Sequence, residues 1–197
     1  MSRFARVAVY AGSTDGARPE YAEASRAAIT ELVGRGSGVV YGGGSNGLMG
    51  VLADTALEAG GEVIGVIPKF LDDREVAHKR VTDLRVVDTM HERKMLMADL
   101  SDAFLVLPGG IGTLEEVIEM LSWSQLGLHR KPIALLDVDG FYQPLVALLD
   151  HMTTESFISV DHRKFLISDP NPITLLDTME SWESPKTTRW LQDEDQT

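Results

Sequence analysis

The chain has 197 residues, 44% of them hydrophobic and 24% charged, a globular composition that excludes wholesale disorder. It holds no cysteine, which excludes a disulfide scaffold, a thiolate metal site and a cysteine nucleophile together. Its 18 Lys and Arg stand against 30 Asp and Glu, a net charge of −12 with no long basic run, so no nucleic-acid polymer is expected as a partner.

No apolar run approaches the ~20 residues of a membrane span. The start, Met1 to Arg6, leads into Val7-Ala-Val-Tyr10 without an apolar leader, so a soluble cytoplasmic protein with no membrane partner is expected. Val7 to Tyr10 reads as a buried strand, followed by a helix from Glu20 to Val33 that Gly34 and Gly36 stop. Val39 to Tyr41 is a second strand, Leu48 to Leu57 a helix of small residues, and Val63 to Ile67 a third strand. Lys69 to Val81 has no clear period and reads as a loop with a helical turn. Leu84 to Val87 is a strand, Glu92 to Leu100 a helix, and Ala103 to Leu107 the clearest buried strand. A long helix over Leu114 to Leu126 follows, then strand Ile133 to Leu136, helix Tyr142 to Met152, strand Phe165 to Ile167 and helix Ile173 to Trp182. Residues 1–183 are expected to form one domain and 184–197 a polar tail. Strands alternating with helices predict a doubly wound, Rossmann-like α/β fold: a parallel sheet with helices on both faces.

Ligands of such sheets bind at the carboxyl ends of the strands. Two strand-to-helix turns there are rich in glycine, Tyr41-Gly-Gly-Gly-Ser-Asn-Gly47 and Leu107-Pro-Gly-Gly-Ile-Gly-Thr113. Glycine lets backbone N–H groups approach an anion, and a helix N-terminus favours phosphate. Neither turn carries the dinucleotide fingerprint or the lysine of a P-loop, which points to a smaller ligand such as a nucleoside monophosphate. Thr113 and Glu116 have the spacing of a capping box, with Thr113 as N-cap and Glu116 at N3. The same spacing puts the Glu116 carboxylate within one turn of the phosphate loop, where the helix dipole favours its ionised form. In Met90-His-Glu-Arg-Lys94, Arg93 and Lys94 point about 100° apart on a helix, and a solvated Lys94 is the simpler expectation. No histidine has metal-ligand spacing, so no metal is expected.

Pro108-Gly-Gly-Ile-Gly-Thr-Leu-Glu-Glu116, with Met90-His-Glu-Arg-Lys94 and Tyr41-Gly-Gly-Gly44 upstream, resembles the Lonely Guy (LOG) family of cytokinin riboside 5′-monophosphate phosphoribohydrolases. The resemblance spans about Val7 to Ile167. It implies hydrolysis of a nucleoside 5′-monophosphate, AMP or a cytokinin riboside monophosphate, to free base and ribose 5-phosphate, by a homodimer or larger oligomer without cofactor. It assigns catalysis to Arg93 and Glu116. To substrate binding it assigns Gly42, Gly43 and Gly44, Met90 and Lys94, Gly109, Gly110, Ile111, Gly112 and Thr113, and Glu115. Glu75 matches the glutamate of the family's P-R-E segment, although Asp73 stands where that segment has proline. The lysine decarboxylase label often attached to such chains finds no support, since that chemistry needs pyridoxal phosphate on a lysine and none of the six lysines has such a context. The alternative from another class is a non-catalytic nucleotide or molybdopterin-type carrier, which would not need the Arg93 and Glu116 pair. The apolar residues of Leu114 to Leu126 lie on more than one face, as in a subunit interface or a central core helix.

Overall fold

A computed structural model describes residues 2–72 and 77–185. Seven strands form one parallel sheet: β1 (Arg6–Tyr10), β2 (Gly38–Tyr41), β3 (Val63–Pro68), β4 (Asp83–Val87), β5 (Ala103–Val106), β6 (Ile133–Leu136) and β7 (Leu166–Asp169). Their order is β4-β3-β2-β1-β5-β6-β7, so the chain builds outward from β1 on one side and returns to its other side with β5. That reversal opens a crevice above the carboxyl ends of β1 and β5, the place where open α/β sheets bind ligands.

The helices are α1 (Pro19–Gly34), α2 (Gly47–Glu58), α3 (Lys69–Asp72), α4 (Met90–Asp99), α5 (Ile111–Leu126), α6 (Gln143–Thr154), α7 (Val160–Arg163) and α8 (Pro172–Ser181). Alternate residues of β1 face opposite ways. Val7 and Val9 pack with Ile29 and Leu32 of α1, Leu52 and Ala56 of α2 and Leu176 of α8. Ala8 and Tyr10 pack with Met97 of α4, Val117 and Met120 of α5 and Leu149 of α6. A sheet covered on both faces buries every residue of its central strands, which explains the unbroken apolar runs of β2, β3, β5 and β6. Among the described residues no helix is long and apolar enough to cross a membrane. The expected Rossmann-like α/β class is therefore the observed one. A short 3-10 turn at Val138–Gly140 and α7 are additions that the hydrophobic pattern did not reveal.

Candidate active site

The β1–β5 ladder continues beyond the strands. The amide of Leu107 donates to the Tyr10 carbonyl at 2.9 Å, and that of Gly12 donates to the Pro108 carbonyl at 3.0 Å. This sets the loop after β1 beside the loop after β5. On its other side, Met49 N donates to the Gly12 carbonyl and Leu48 N to that of Thr14, at 3.1 and 3.4 Å. The first amides of α2 are thus spent on protein carbonyls. The first glycine turn, expected to hold phosphate through this helix, does not offer it an open N-terminus.

The second turn does. Helix α5 begins at Ile111 with Gly110 as N-cap, and no side chain caps it. Thr113 therefore lies at N3 and Glu116 a full turn into the helix, so the expected capping box is absent. The Ile-Gly pair that reads as loop is already helical, which moves the start three residues upstream. Gly110 and Gly112 have negative φ, and a Cβ built on either meets nothing within 4 Å. Neither backbone conformation nor packing requires glycine there, although glycine inside a helix costs up to ~1 kcal/mol. A ligand seated on the free amides supplies the reason.

A cavity of about 250 Å³ lies over these amides, lined by Tyr10, Ser13, Met49, Arg93 and Glu116 among others. Gly42 lies on its wall because Arg93 presses on it: a Cβ there would fall 1.9 Å from Arg93 Nη2. Arg93 Nε donates to the Val66 carbonyl at 3.1 Å and Nη2 to the Gly42 carbonyl at 3.3 Å. Nη1 stands 3.3 Å from Glu116 Oε1, with the side chains only 10% and 9% exposed. A carbonyl just past β2 and one within β3 thus aim a cation from α4 at a carboxylate on α5.

Burial pushes the Glu116 carboxyl up to about 7, against the pull of Arg93. The expectation that the ionised form is favoured is corrected: desolvation outweighs the pull of Arg93, and both protonation states are within reach near neutrality. Lys94 is likewise not solvated. It is buried, with Nζ 2.5 Å from Glu115 and 3.0 Å from Glu119. The partners that neutralise it lie 21 and 25 residues downstream, beyond any local reading.

Residues 49–179 match a family model described as "Possible lysine decarboxylase". The cytokinin riboside 5′-monophosphate phosphoribohydrolase LOG of Oryza sativa subsp. japonica is 48% identical to this chain over 92% of it and 75% of that protein. LOG7 of Arabidopsis thaliana, of the same description, is 46% identical over 92% of this chain and 84% of its own length. The chain belongs to the LOG family.

Solved structures are similar at lower identity. The molybdenum cofactor carrier protein of Chlamydomonas reinhardtii has a TM-score of 0.69 at 18% identity, covering 89% of this chain and 96% of that one. The molybdenum cofactor binding protein of Rippkaea orientalis gives 0.68 at 22%, covering 89% and 95%. At such identities these share the fold alone.

Of the residues that LOG resemblance assigns, the cavity gathers Gly42, Arg93, Gly110, Ile111, Gly112, Thr113 and Glu116. Gly109 backs the loop from beneath, where its missing Cβ leaves room for the Thr113 hydroxyl. Gly43, Gly44, Met90, Lys94 and Glu115 are not on the cavity wall. Gly43 and Gly44 instead bind the strand-like segment at Ala77 and His78. Glu75 lies outside the described residues. Ser13, Met49 and Leu71 line the cavity and were not singled out; the signal available for Ser13 was its place just past the carboxyl end of β1. Among the described residues no group of three or more His, Asp or Glu is arranged to hold a metal. Among the described residues, no lysine lines the cavity.

Proposed function

We propose that this chain hydrolyses the N-glycosidic bond of a nucleoside 5′-monophosphate, AMP or a cytokinin riboside monophosphate, to free base and ribose 5-phosphate. The observation that carries the reading is the buried Arg93–Glu116 pair facing the uncapped start of α5 across one small cavity. The 5′-phosphate sits on the free amides from Gly110 to Thr113, with the Ser13 hydroxyl beside them, and so fixes the ribose. The C1′–N bond then breaks with its electron pair leaving on the base. A water oxygen takes the vacated place at C1′, and its proton passes to Glu116 and from there to the departed base, which leaves as the neutral free base and restores the carboxylate. The same carboxylate shields the cationic sugar as it forms, as a carboxylate does in glycoside hydrolysis generally.

Arg93 has partners on all three side-chain nitrogens, which suits a group that fixes Glu116 better than one that seizes phosphate. Met49, Leu71 and Ile111 give the cavity an apolar side that fits a base and its apolar substituent. A carrier of the same fold has no use for a carboxyl held near neutrality beside a pinned arginine. We also place the expected second copy of this chain on the groove of about 210 Å³ between α5 and α6, where Ile118 and Leu148 lie exposed beside the half-buried Leu121. An Ile118→Asp variant that sediments as a monomer, from a dimeric parent, is the outcome expected.

The function is tested by base release from AMP, prenylated AMP and adenosine. Both nucleotides should react and adenosine far more slowly, because it lacks the handle that spends remote binding energy on orientation. Equal rates for AMP and adenosine contradict the phosphate anchor, and no release from any nucleoside monophosphate contradicts the hydrolase.

A further inference from the structure

The turn that carries Gly42 is held from behind by a second element. Gly43 has φ +74° and lies so close to β3 that a Cβ on it would fall 3.0 Å from the Cβ of Ile67. Its carbonyl accepts from the His78 amide at 2.8 Å, and Gly44 pairs with Ala77 in an antiparallel bridge. The His78 side chain, in a residue only 5% exposed, reaches back to α2. The Arg80 amide donates to Nδ1 at 3.3 Å, which makes that nitrogen the acceptor and leaves the ring proton on Nε2. Nε2 donates to Asp54 Oδ1 at 3.0 Å. Both ring nitrogens of this buried imidazole thus have partners, and the proposed hydrolysis uses neither.

We propose that His78 and Asp54 are positioning residues: they clamp residues 77–80 onto the turn at 42–44, and the turn holds the Gly42 carbonyl where it fixes the Arg93 guanidinium beside Glu116. This rests on Arg93 and Glu116 as the reacting pair, and it holds whether Arg93 meets the substrate or Glu116 alone. The connection is contiguous. It runs from Asp54 on α2 through the His78 ring to the His78 amide, on to the Gly43 carbonyl, and from the adjoining Gly42 carbonyl to Arg93 Nη2 at 3.3 Å. Three successive glycines have more backbone freedom to lose than any other three residues, so such a turn needs fixing from outside. Arg80 also pairs with Asp54, but from a side chain 74% exposed, where an ion pair contributes little.

The test compares His78→Ala, His78→Gln, Asp54→Ala and Arg80→Ala in the full chain, with AMP as substrate. His78→Ala and Asp54→Ala should each lower kcat about tenfold and leave KM within about twofold. His78→Gln presents an N–H where Nε2 stood and should recover most of the loss. Arg80→Ala keeps its backbone amide and the His78–Asp54 bond, and should stay within about twofold of the wild type. Should His78→Ala not fold, Asp54→Ala carries the same comparison from a side chain 43% exposed. An unchanged kcat in the Ala variants of His78 and Asp54 overturns the proposal, as does His78→Gln no faster than His78→Ala. A KM raised about tenfold with kcat intact overturns it in favour of a ligand contact by residues 77–80. Solvent exchange of the Arg93 Nε–H, which donates to the Val66 carbonyl at 3.1 Å, reads the clamp without turnover. It should quicken about tenfold in Asp54→Ala and keep its wild-type rate in Arg80→Ala. Equal exchange in Asp54→Ala and the wild type contradicts the clamp, whereas quickened exchange in a chain inert towards nucleotides supports the clamp and contradicts only the hydrolase.

Discussion

Gly42 is glycine because of Arg93. The guanidinium lies against its Cα, and the Gly42 carbonyl accepts from Nη2 at 3.3 Å. A residue that sequence reasoning assigns to a phosphate cradle is thus the seat of an arginine. Gly42→Ala should displace Arg93 without deleting any functional group. We expect kcat for AMP to fall by about a hundredfold, the scale on which misplacement of a reacting constellation is felt. Arg93→Ala should fall at least as far, and the double variant little further, because both act through one side chain. Additive losses in a steady-state comparison of the three would contradict this.

Gly112→Ala tests the other turn in the opposite sense. Its Cβ would enter open space at negative φ, so the folded chain should tolerate it and gain up to about 1 kcal/mol in helix propensity. The same methyl would crowd a phosphate on the α5 amides. The expected outcome is a chain at least as stable to urea as the wild type, with KM for AMP raised about tenfold or more. A variant with unaltered KM would show that the phosphate sits elsewhere.

The carboxyl of Glu116, pushed up to about 7, gives two pH dependences. With Glu116 acting as base, kcat/KM for AMP should rise as pH rises through about 7, falling near tenfold per unit well below it. Stability has the opposite sign. A folded-state value raised from the ordinary 4.5 favours the protonated fold, so this contribution is complete below about 4.5 and is lost as pH rises through about 7. The loss is of order 3 kcal/mol. Denaturation from pH 4 to 8 should show this downward slope in the wild type and its absence in Glu116→Gln; parallel curves would contradict a raised value.

The sheet was legible because each buried strand announces itself as a short apolar run between glycine or proline breaks; Ala103 to Val106 is the plainest case. The order of strands around β1 followed from crossover rules no more closely than its class. The site was legible in part. Arg93 and Glu116 stood out by motif, yet the ion pair between them depends on carbonyls of Val66 and Gly42 that only the packed sheet brings together. The local pattern Thr113 to Glu116 imitates a capping box, whereas the real one is Thr89 with Glu92 at the start of α4. The two glycine turns look alike in sequence; what separates them is the pair of carbonyls, from Gly12 and Thr14, that occupies the start of α2. That difference belongs to tertiary contacts alone.

The most direct measurement is single-turnover base release from AMP by Glu116→Gln beside the wild type, with AMP binding followed on the same samples. Gln keeps the shape and a hydrogen-bonding partner for Arg93 but can neither take the proton of a water nor oppose a positive sugar. The account predicts AMP bound about as well as by the wild type and base release slowed by about a thousandfold or more. Release at a rate near that of the wild type would remove Glu116 from the chemistry and leave it a structural partner of Arg93.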